Sequence, residues 1–265
     1  MNKLKISLET NFPVAFESPD HLIPWGTARD NSKNYRFNQK INKLFEHHTM
    51  PFSILDLGCS GGGFVSDCIN DGVIAVGLEG SDYSYKYGRA EWARIPNNLF
   101  TCDVTKPFRI SETFQNLKKD LNFNVITSFE LMEHIKTIDI LNVVKNIKLH
   151  LKDKGIWIMS VSSEDDIIDG VNLHQTVESK KWWIEKFNSL GLYHQDKFLE
   201  YFNNQYIRSP KFGAPSSFML ILSSEKISSL FIPKLSISQK FFDSWIGSLL
   251  QKYLKKVVNG PQSYS

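Results

Sequence analysis

The sequence predicts an α/β protein with a mostly parallel sheet, and three observations carry that prediction. Residues Phe52 to Phe64, FSILDLGCSGGGF, run from an apolar strand into a cluster of small residues and on into a helix. Two later apolar runs, Val73 to Leu78 and Leu99 to Cys102, close on Glu79 and Asp103. With Asp56 in the first run, three successive strands end on an acid, at the edge where an open α/β sheet takes its ligand. From Phe52 onward strand-like and helix-like stretches alternate, the order that builds a parallel sheet covered by helices.

Residues 1–50 precede the first core strand, and Pro13, Pro19 and Pro24 break any long helix in their first half. Ser18 to Asn31 mixes turn formers with charged and aromatic residues. It reads either as a surface loop or as a lid over the substrate side, with Trp25 as an apolar wall and Asp20, His21 or Arg29 as polar contacts. Tyr35 to His47 reads as an amphipathic helix, since Phe37, Ile41, Leu44 and Phe45 recur at helical spacing. Strands are expected over about 53–57, 73–78 and 98–102, with helices through Phe64–Ile69 and from Tyr83 through Trp92. A helical stretch is expected over Ser111 to Leu121, capped by Ser111. Next come a strand over 123–128, a helix from Ile135 to Leu151, a turn at Lys152–Gly155 and a strand from Ile156 to Val161. Gly170 to Thr176 reads as loop and Val177 to Leu190 as helix, and strands over 192–201 and 216–223 close the order. Ser238 to Val258 gathers Phe241, Phe242, Trp245, Ile246, Leu249, Leu250, Tyr253 and Leu254 on one broad face, with lysines toward the others. That pattern fits a helix docked on the domain's own core, a homodimer contact or a membrane-surface contact. The expected division is an N-terminal lid segment (1–50), a central domain (51–224) and a C-terminal amphipathic extension (225–265).

The chain has 265 residues, 42% of them hydrophobic, enough for a sizeable core and against wholesale disorder. A net charge of +3 is too mild to argue for a nucleic-acid partner. Cys59, Cys68 and Cys102 form no CxxC and no metal spacing, and free thiols suit a reducing compartment. With no apolar signal core and no run of the ~18 apolar residues that a span needs, a cytoplasmic location is expected.

The glycine-rich turn after Leu57 suits close approach of a ligand to the backbone, and the helix behind it points free N–H groups the same way. Gly58, Ser60 and Gly63 nearly spell a dinucleotide fingerprint, which would make the protein a dehydrogenase. Asp56 argues otherwise: a carboxylate two residues before the first glycine repels a pyrophosphate and attracts an ammonium or sulfonium. Asp56-x-Gly58-x-Ser60-Gly61-Gly62, Glu79, Asp103-Val104 and Phe123-Asn124-Val125-Ile126-Thr127-Ser128, followed by Glu130-Leu131-Met132-Glu133-His134, resemble the class I S-adenosylmethionine (SAM)-dependent methyltransferases. The resemblance runs from about Phe52 to Ser224, with Ser60 replacing the usual middle glycine. It implies a Rossmann-like, mostly parallel seven-stranded sheet with helices on both faces and an antiparallel closing strand. It further implies that Asp56 and the backbone of Gly58, Cys59, Ser60, Gly61 and Gly62 hold the amino-acid end of SAM. Glu79, followed by Gly80 and Ser81, would accept the ribose hydroxyls. Asp103 would take the adenine amino group with Val104 against the ring, and Phe129 and Glu130 would line the wall near the sulfonium.

SAM is already activated, so the protein must position the acceptor and, for a hydroxyl, remove its proton. Ser128-Phe129-Glu130-Leu131 lacks the Pro-Pro motif of amino-group methyltransferases acting on adenine or glutamine, and also a Pro-Cys nucleophile. A small-molecule acceptor and O-methylation remain. His134 is a base candidate or a structural residue beside SAM. His174 is a base, a substrate contact or a loop residue capping the next helix. Trp182-Trp183 would wall a pocket, with His21, Trp25, Arg29 and Trp182 as substrate contacts. Glu164, Asp165, Asp166 and Asp169 read as a solvated loop more readily than as Mg²⁺ ligands, and no metal site is assigned. Tryptophan-bearing loops suggest a sugar or glycan-precursor hydroxyl. A lipid or quinone precursor is the alternative, and a SAM-binding protein without turnover is the rival of another class.

Overall fold

Alternate residues of each core strand face opposite layers, and this organises the molecule. Leu55 and Leu57 join Val76, Leu78, Ile126, Trp157 and Met159 in one buried layer, while Ile54, Ala75, Val125, Ile156 and Ile158 join the other. Strands buried on both faces read as nearly continuous apolar runs, which is why they were visible in the sequence. The computed structural model describes residues 4–46, 52–203, 205–208, 215–227, 232–244, 246–247, 249–250 and 253.

The described strands are β1 (Lys5–Thr10), β2 (Ser53–Leu57), β3 (Ile74–Glu79), β4 (Leu99–Thr101), β5 (Phe108–Phe114), β6 (Leu117–Asp120), β7 (Phe123–Phe129), β8 (Leu151–Ser162), β9 (Ile167–Ile168), β10 (Val171–Asn172), β11 (Tyr193–His194) and β12 (Ser217–Ser223). The helices are α1 (Pro19–Leu22), α2 (Trp25–Arg29), α3 (Tyr35–Phe45), α4 (Gly63–Asn70), α5 (Tyr83–Lys86), α6 (Ile140–His150), α7 (Lys180–Ser189), α8 (Asp196–Phe202) and α9 (Ile237–Asp243). The main sheet has seven strands in the order β11-β12-β8-β7-β2-β3-β4. Strands β4, β3, β2, β7 and β8 run parallel, and β12 and β11 close the sheet antiparallel. Residues of α6 and α7 pack into one layer, and residues of α3, α4 and α8 into the other. The chain leaves β2 toward β3 and β4 and later returns to β2's other side as β7. The C-terminal ends of β2 and β7 are therefore the switch point, where an open sheet of this kind holds its ligand.

Four expectations are corrected. Residues 111–121 form no helix: β5 and β6 make a hairpin, and β5 also pairs with β1 in a separate three-stranded sheet. Gln115 and Asn116 both take positive φ (49° and 66°), giving the two-residue turn that matches strand twist. The Tyr83–Trp92 helix stops after one turn at Lys86, with Gly88 at φ 55°, and Ala90–Ala93 is a 3-10 turn. The helix expected from Ile135 begins at Ile140. The strand expected over 192–201 has only two residues; then Asp196–Phe202 folds into α8, burying Phe198, Tyr201 and Phe202 on one side. Of the helix expected over 238–258, α9 covers Ile237–Asp243, while residues 245, 248, 251–252 and 254–258 lie outside the described residues. Phe241, Ile246, Leu249, Leu250 and Tyr253 are exposed. No helix among the described residues is long and apolar enough to cross a membrane.

Candidate active site

Asp56 sits on β2 beside Thr127 of β7, whose hydroxyl donates to Asp56 Oδ1 at 2.7 Å. Burial pushes the Asp56 carboxyl up to about 7; the Thr127 hydrogen bond pulls the other way, and the Asp30 and Glu79 charges add to the rise. Beyond it the chain turns sharply: Gly58 and Gly62 take φ 71° and 80°, and Ser60 takes 47°. Glycine enters this region without strain, whereas a serine there is strained. The Ser60 hydroxyl has work to do, since its Oγ lies 2.9 Å from the Asp30 carbonyl oxygen and 3.1 Å from that of Thr27. The Ser60 N–H donates to Glu79 Oε2 at 2.7 Å. Glu79 Oε1 also accepts from the Ser81 N–H and the Thr27 hydroxyl. Burial raises the Glu79 carboxyl, and the Ser60 and Ser81 N–H groups partly offset this.

Residues 27–31, a strap from the N-terminal segment, lie directly on this loop. The Gly61 N–H and Arg89 Nη2 donate to the Asp30 carbonyl at 3.2 and 2.6 Å. A Cβ on Gly61 would stand 2.6 Å from Asn31 Oδ1, so only glycine admits the strap here. The Asp30 carboxylate pairs with Arg208, Oδ1 to Nη2 2.8 Å. Between strap, loop and β7 a cavity of about 20 Å³ remains, lined by Asp56, Gly58, Phe129, Asp30 and Arg208 among others. Further out, Gly80 accepts from the Ala15 N–H, and Asp103 Oδ1 accepts from the Thr105 N–H and hydroxyl. Val104 is buried, and Phe129 packs edge-on against Phe37 and Phe64.

The second half of the site lies past β7 and β8. Glu133 is fully buried; Oε1 accepts the Ser162 N–H at 2.8 Å, and Oε2 has no hydrogen-bond partner. His134 Nδ1 is 2.9 Å from Asp20 Oδ2 of α1, an ion pair without an aligned hydrogen bond. Burial pulls the His134 imidazole down, but contact with Asp20, backed by Glu133 and Glu130, outweighs this and pushes it up to about 9. His134 is therefore an imidazolium at neutral pH, a poor base. The His174 ring stands edge-on to it, 4.7 Å between centroids. His174 Nδ1 meets the Glu164 carbonyl, which can only accept, so Nδ1 carries the proton and Nε2 keeps a lone pair. Burial lowers His174 from its ordinary value, opposed by that carbonyl and reinforced by the His134 charge, so the ring is neutral at pH 7. Among the described residues, the group with metal-ligand spacing is Glu133, His134 and His174, whose ligand atoms lie within 4.8 Å of one another, and not the Glu164–Asp169 loop.

The remaining candidates are placed elsewhere or at the margin. His21 stands 3.9 Å from Asp82 and edge-on to Phe16. Trp25 is exposed, with the Arg29 guanidinium over its ring. Trp182 packs edge-on to the buried core residue Trp183, with Lys186 on its other contact. Glu130, at φ 52°, accepts from the Ser217 hydroxyl through Oε2, and its Oε1 is buried without a partner.

Buried Asp56, Glu79 and Glu133 gather three carboxyl groups at one sheet edge. A ligand carrying an ammonium and a sulfonium fits that edge better than any pyrophosphate. A family model for a methyltransferase domain matches residues 28–208, more than half of the chain. The chain belongs to the class I SAM-dependent methyltransferases. SAM is the cofactor of this methyltransferase, and of the residues that the family resemblance assigns to it, Asp56, the 58–62 loop and Glu79 meet at one sheet edge. Ubiquinone biosynthesis O-methyltransferases from two strains of Rickettsia bellii are 27% identical over 129 residues, 47% of this chain and 49% of theirs. The chain thus spans about half the length of the curated relatives it matches. Two solved structures are also similar. A TehB-like SAM-dependent methyltransferase from Corynebacterium glutamicum shares 13% identity and a TM-score of 0.49, over 77% of this chain and 94% of that one. The 1,6-didemethyltoxoflavin-N1-methyltransferase from Burkholderia thailandensis shares 14% and 0.48, over 77% and 83%.

Sequence reasoning did not single out Asp30 or Arg208. Arg208 follows Tyr206-Ile207 in a loop far along the chain, and no periodicity or motif marks it. Asp30 stood in view within the N-terminal segment, but a lone aspartate before Asn31 reads as a turn residue.

Proposed function

We propose that this methyltransferase acts on a hydroxyl oxygen of a small molecule, with His174 as base and a phenolic ring as acceptor. The carrying observation is the state of His174: neutral, tautomerically fixed by the Glu164 carbonyl, with Nε2 available beside His134. When bound, SAM supplies a methyl group already activated as a sulfonium. The task of the chain is to orient the acceptor and take up its proton at His174 Nε2. A base lowered below the ordinary histidine value is poorly matched to a sugar hydroxyl. It is better matched to a phenol, whose pKa is about 10 in tyrosine. The R. bellii relatives are named for a ubiquinone-pathway O-methylation, which supports a ring hydroxyl. The sugar reading leaned on Trp25, Trp182 and Trp183, whose rings contact Arg29, Lys186 and the core.

The test is transfer of isotopically labelled methyl from SAM to a panel of catechols, simple phenols and sugars, read as methyl ether by mass spectrometry. Methyl ethers on phenols are expected, with kcat reduced about 100-fold in His174→Gln at unchanged melting temperature. Transfer to sugars alone, or full activity in His174→Gln, refutes the assignment. SAM binding with no transfer to any acceptor favours a non-catalytic protein.

A further inference from the structure

The cofactor groups of this chain are occupied by the chain itself. Strap residue Thr27 donates to Glu79, and the Asp30 carbonyl takes the Gly61 N–H. The Asp30 carboxylate reaches across the cavity to Arg208. The cofactor's methionine end is a zwitterion and needs an acid and a base side by side. Asp56 supplies the acid. Of the described residues lining the cavity that Asp56 shares with Gly58, Arg208 is the one cation. Arg89, which also contacts the strap, donates to the Asp30 carbonyl and the Ser60 and Ser84 hydroxyls.

We propose that Arg208 binds the carboxylate of the cofactor's methionine end, and that Asp30 holds Arg208 in its place until the cofactor arrives. The cofactor then exchanges one carboxylate for another, and the strap loses its side-chain tie to Arg208. Charge supports this. Asp30 adds to the negative charge that opposes ionisation of Asp56, so displacing it also favours the carboxylate that receives the ammonium. Shape supports it as well, because a cavity of about 20 Å³ has room for a water or two and no more until the strap moves. The proposal rests on the reading of the chain as a SAM-dependent methyltransferase.

Isothermal titration of the full chain with S-adenosylhomocysteine and with 5′-methylthioadenosine, which lacks the amino-acid end, tests it without any need for turnover. Arg208→Gln is expected to lose about 10- to 100-fold in affinity for S-adenosylhomocysteine, the worth of a charge-assisted pair. Its affinity for 5′-methylthioadenosine should stay at the wild-type value, which also reports that the variant is folded. Asp30→Asn keeps the Oδ1 acceptor for Ser32 but removes the charge that holds Arg208, and should bind S-adenosylhomocysteine about three- to tenfold more tightly by weakening the competing state. The proposal is overturned if Arg208→Gln keeps its S-adenosylhomocysteine affinity or loses both ligands equally. It is likewise overturned if Asp30→Asn gains nothing, or if Arg89→Gln carries the selective loss instead. Wild-type protein that binds neither ligand would bring down the cofactor reading itself; binding that is indifferent to Arg208 brings down only the exchange.

Discussion

His134 and His174 stand 4.7 Å apart and carry opposite charge states, because one faces Asp20 and the other a backbone carbonyl. This pair and Asp56 each set a pH dependence. His174 is lowered, so activity should hold from pH 7 downward until the ring protonates below about 6.5, and then fall; a pH profile of kcat read against His174→Gln checks it. His134 is raised to about 9 in the folded chain. A raised histidine contributes stability that is fully present below its unfolded value of about 6.5 and is lost as pH climbs through 9. Asp20→Asn should flatten the fall in melting temperature between pH 7 and 9. Asp56, at about 7, is half neutral near physiological pH. Its carboxylate is what an ammonium needs, so affinity for S-adenosylhomocysteine should rise as pH goes from 6 to 8, and Asp56→Asn should abolish that slope. The three strand-end acids were legible in the sequence because each closes an apolar run. The protonation states of Asp56 and Glu79 were not, because they depend first on burial and then on Asp30 and Asp20, which folding brings in from elsewhere.

Helix and hairpin are the elements where local pattern misled. Ser111 to Leu121 offers a serine cap and a mixed polar pattern, but β1 supplies a partner strand that no local window contains. Tertiary pairing then decides the outcome. The turn at Gln115-Asn116 lacks the glycine that would have announced it, and both residues sit at positive φ. Replacing Asn116 by glycine should stabilise the protein by about 0.5–1 kcal/mol, read as a higher urea midpoint at unchanged slope; a loss of stability would mean that the asparagine side chain holds the turn. The strap at 27–31 shows the same limit from another direction. Its sequence read as a surface loop or as a lid over the substrate side, and its contacts reach the glycine loop and Glu79, through Ser60, Gly61 and Glu79 itself.

For the molecule as a whole, the alternation of strands and helices carried only a mostly parallel sheet, while its seven strands and antiparallel closure came from the family resemblance. The C-terminal extension did not follow from pattern, because among its described contacts is a buried ion pair that no local window marks. Lys40 Nζ of α3 lies 2.6 Å from Asp243 Oδ2 of α9 and also donates to the Tyr201 and Phe202 carbonyls. Both side chains are nearly inaccessible, 2% and 6% exposed. Removing one partner of such a pair costs about 3–5 kcal/mol. Asp243→Ala should therefore lower the unfolding free energy by about that amount, and Lys40→Met with Asp243→Leu should recover most of it. If the single variant is neutral, α9 is not held by this pair.

The pairing of β1 with β5 also has a consequence for how the protein is made. Lys5 lies opposite Thr113, and Thr10 opposite Phe108. During synthesis the first strand leaves the ribosome long before its partner exists, and everything between them must emerge while it waits with open edges. The segment that covers the cofactor loop is strung between that waiting strand and α3. That segment's N-terminal tether therefore stays unpaired until residues 108–113 have been made, with β7, β8 and β12 still to come.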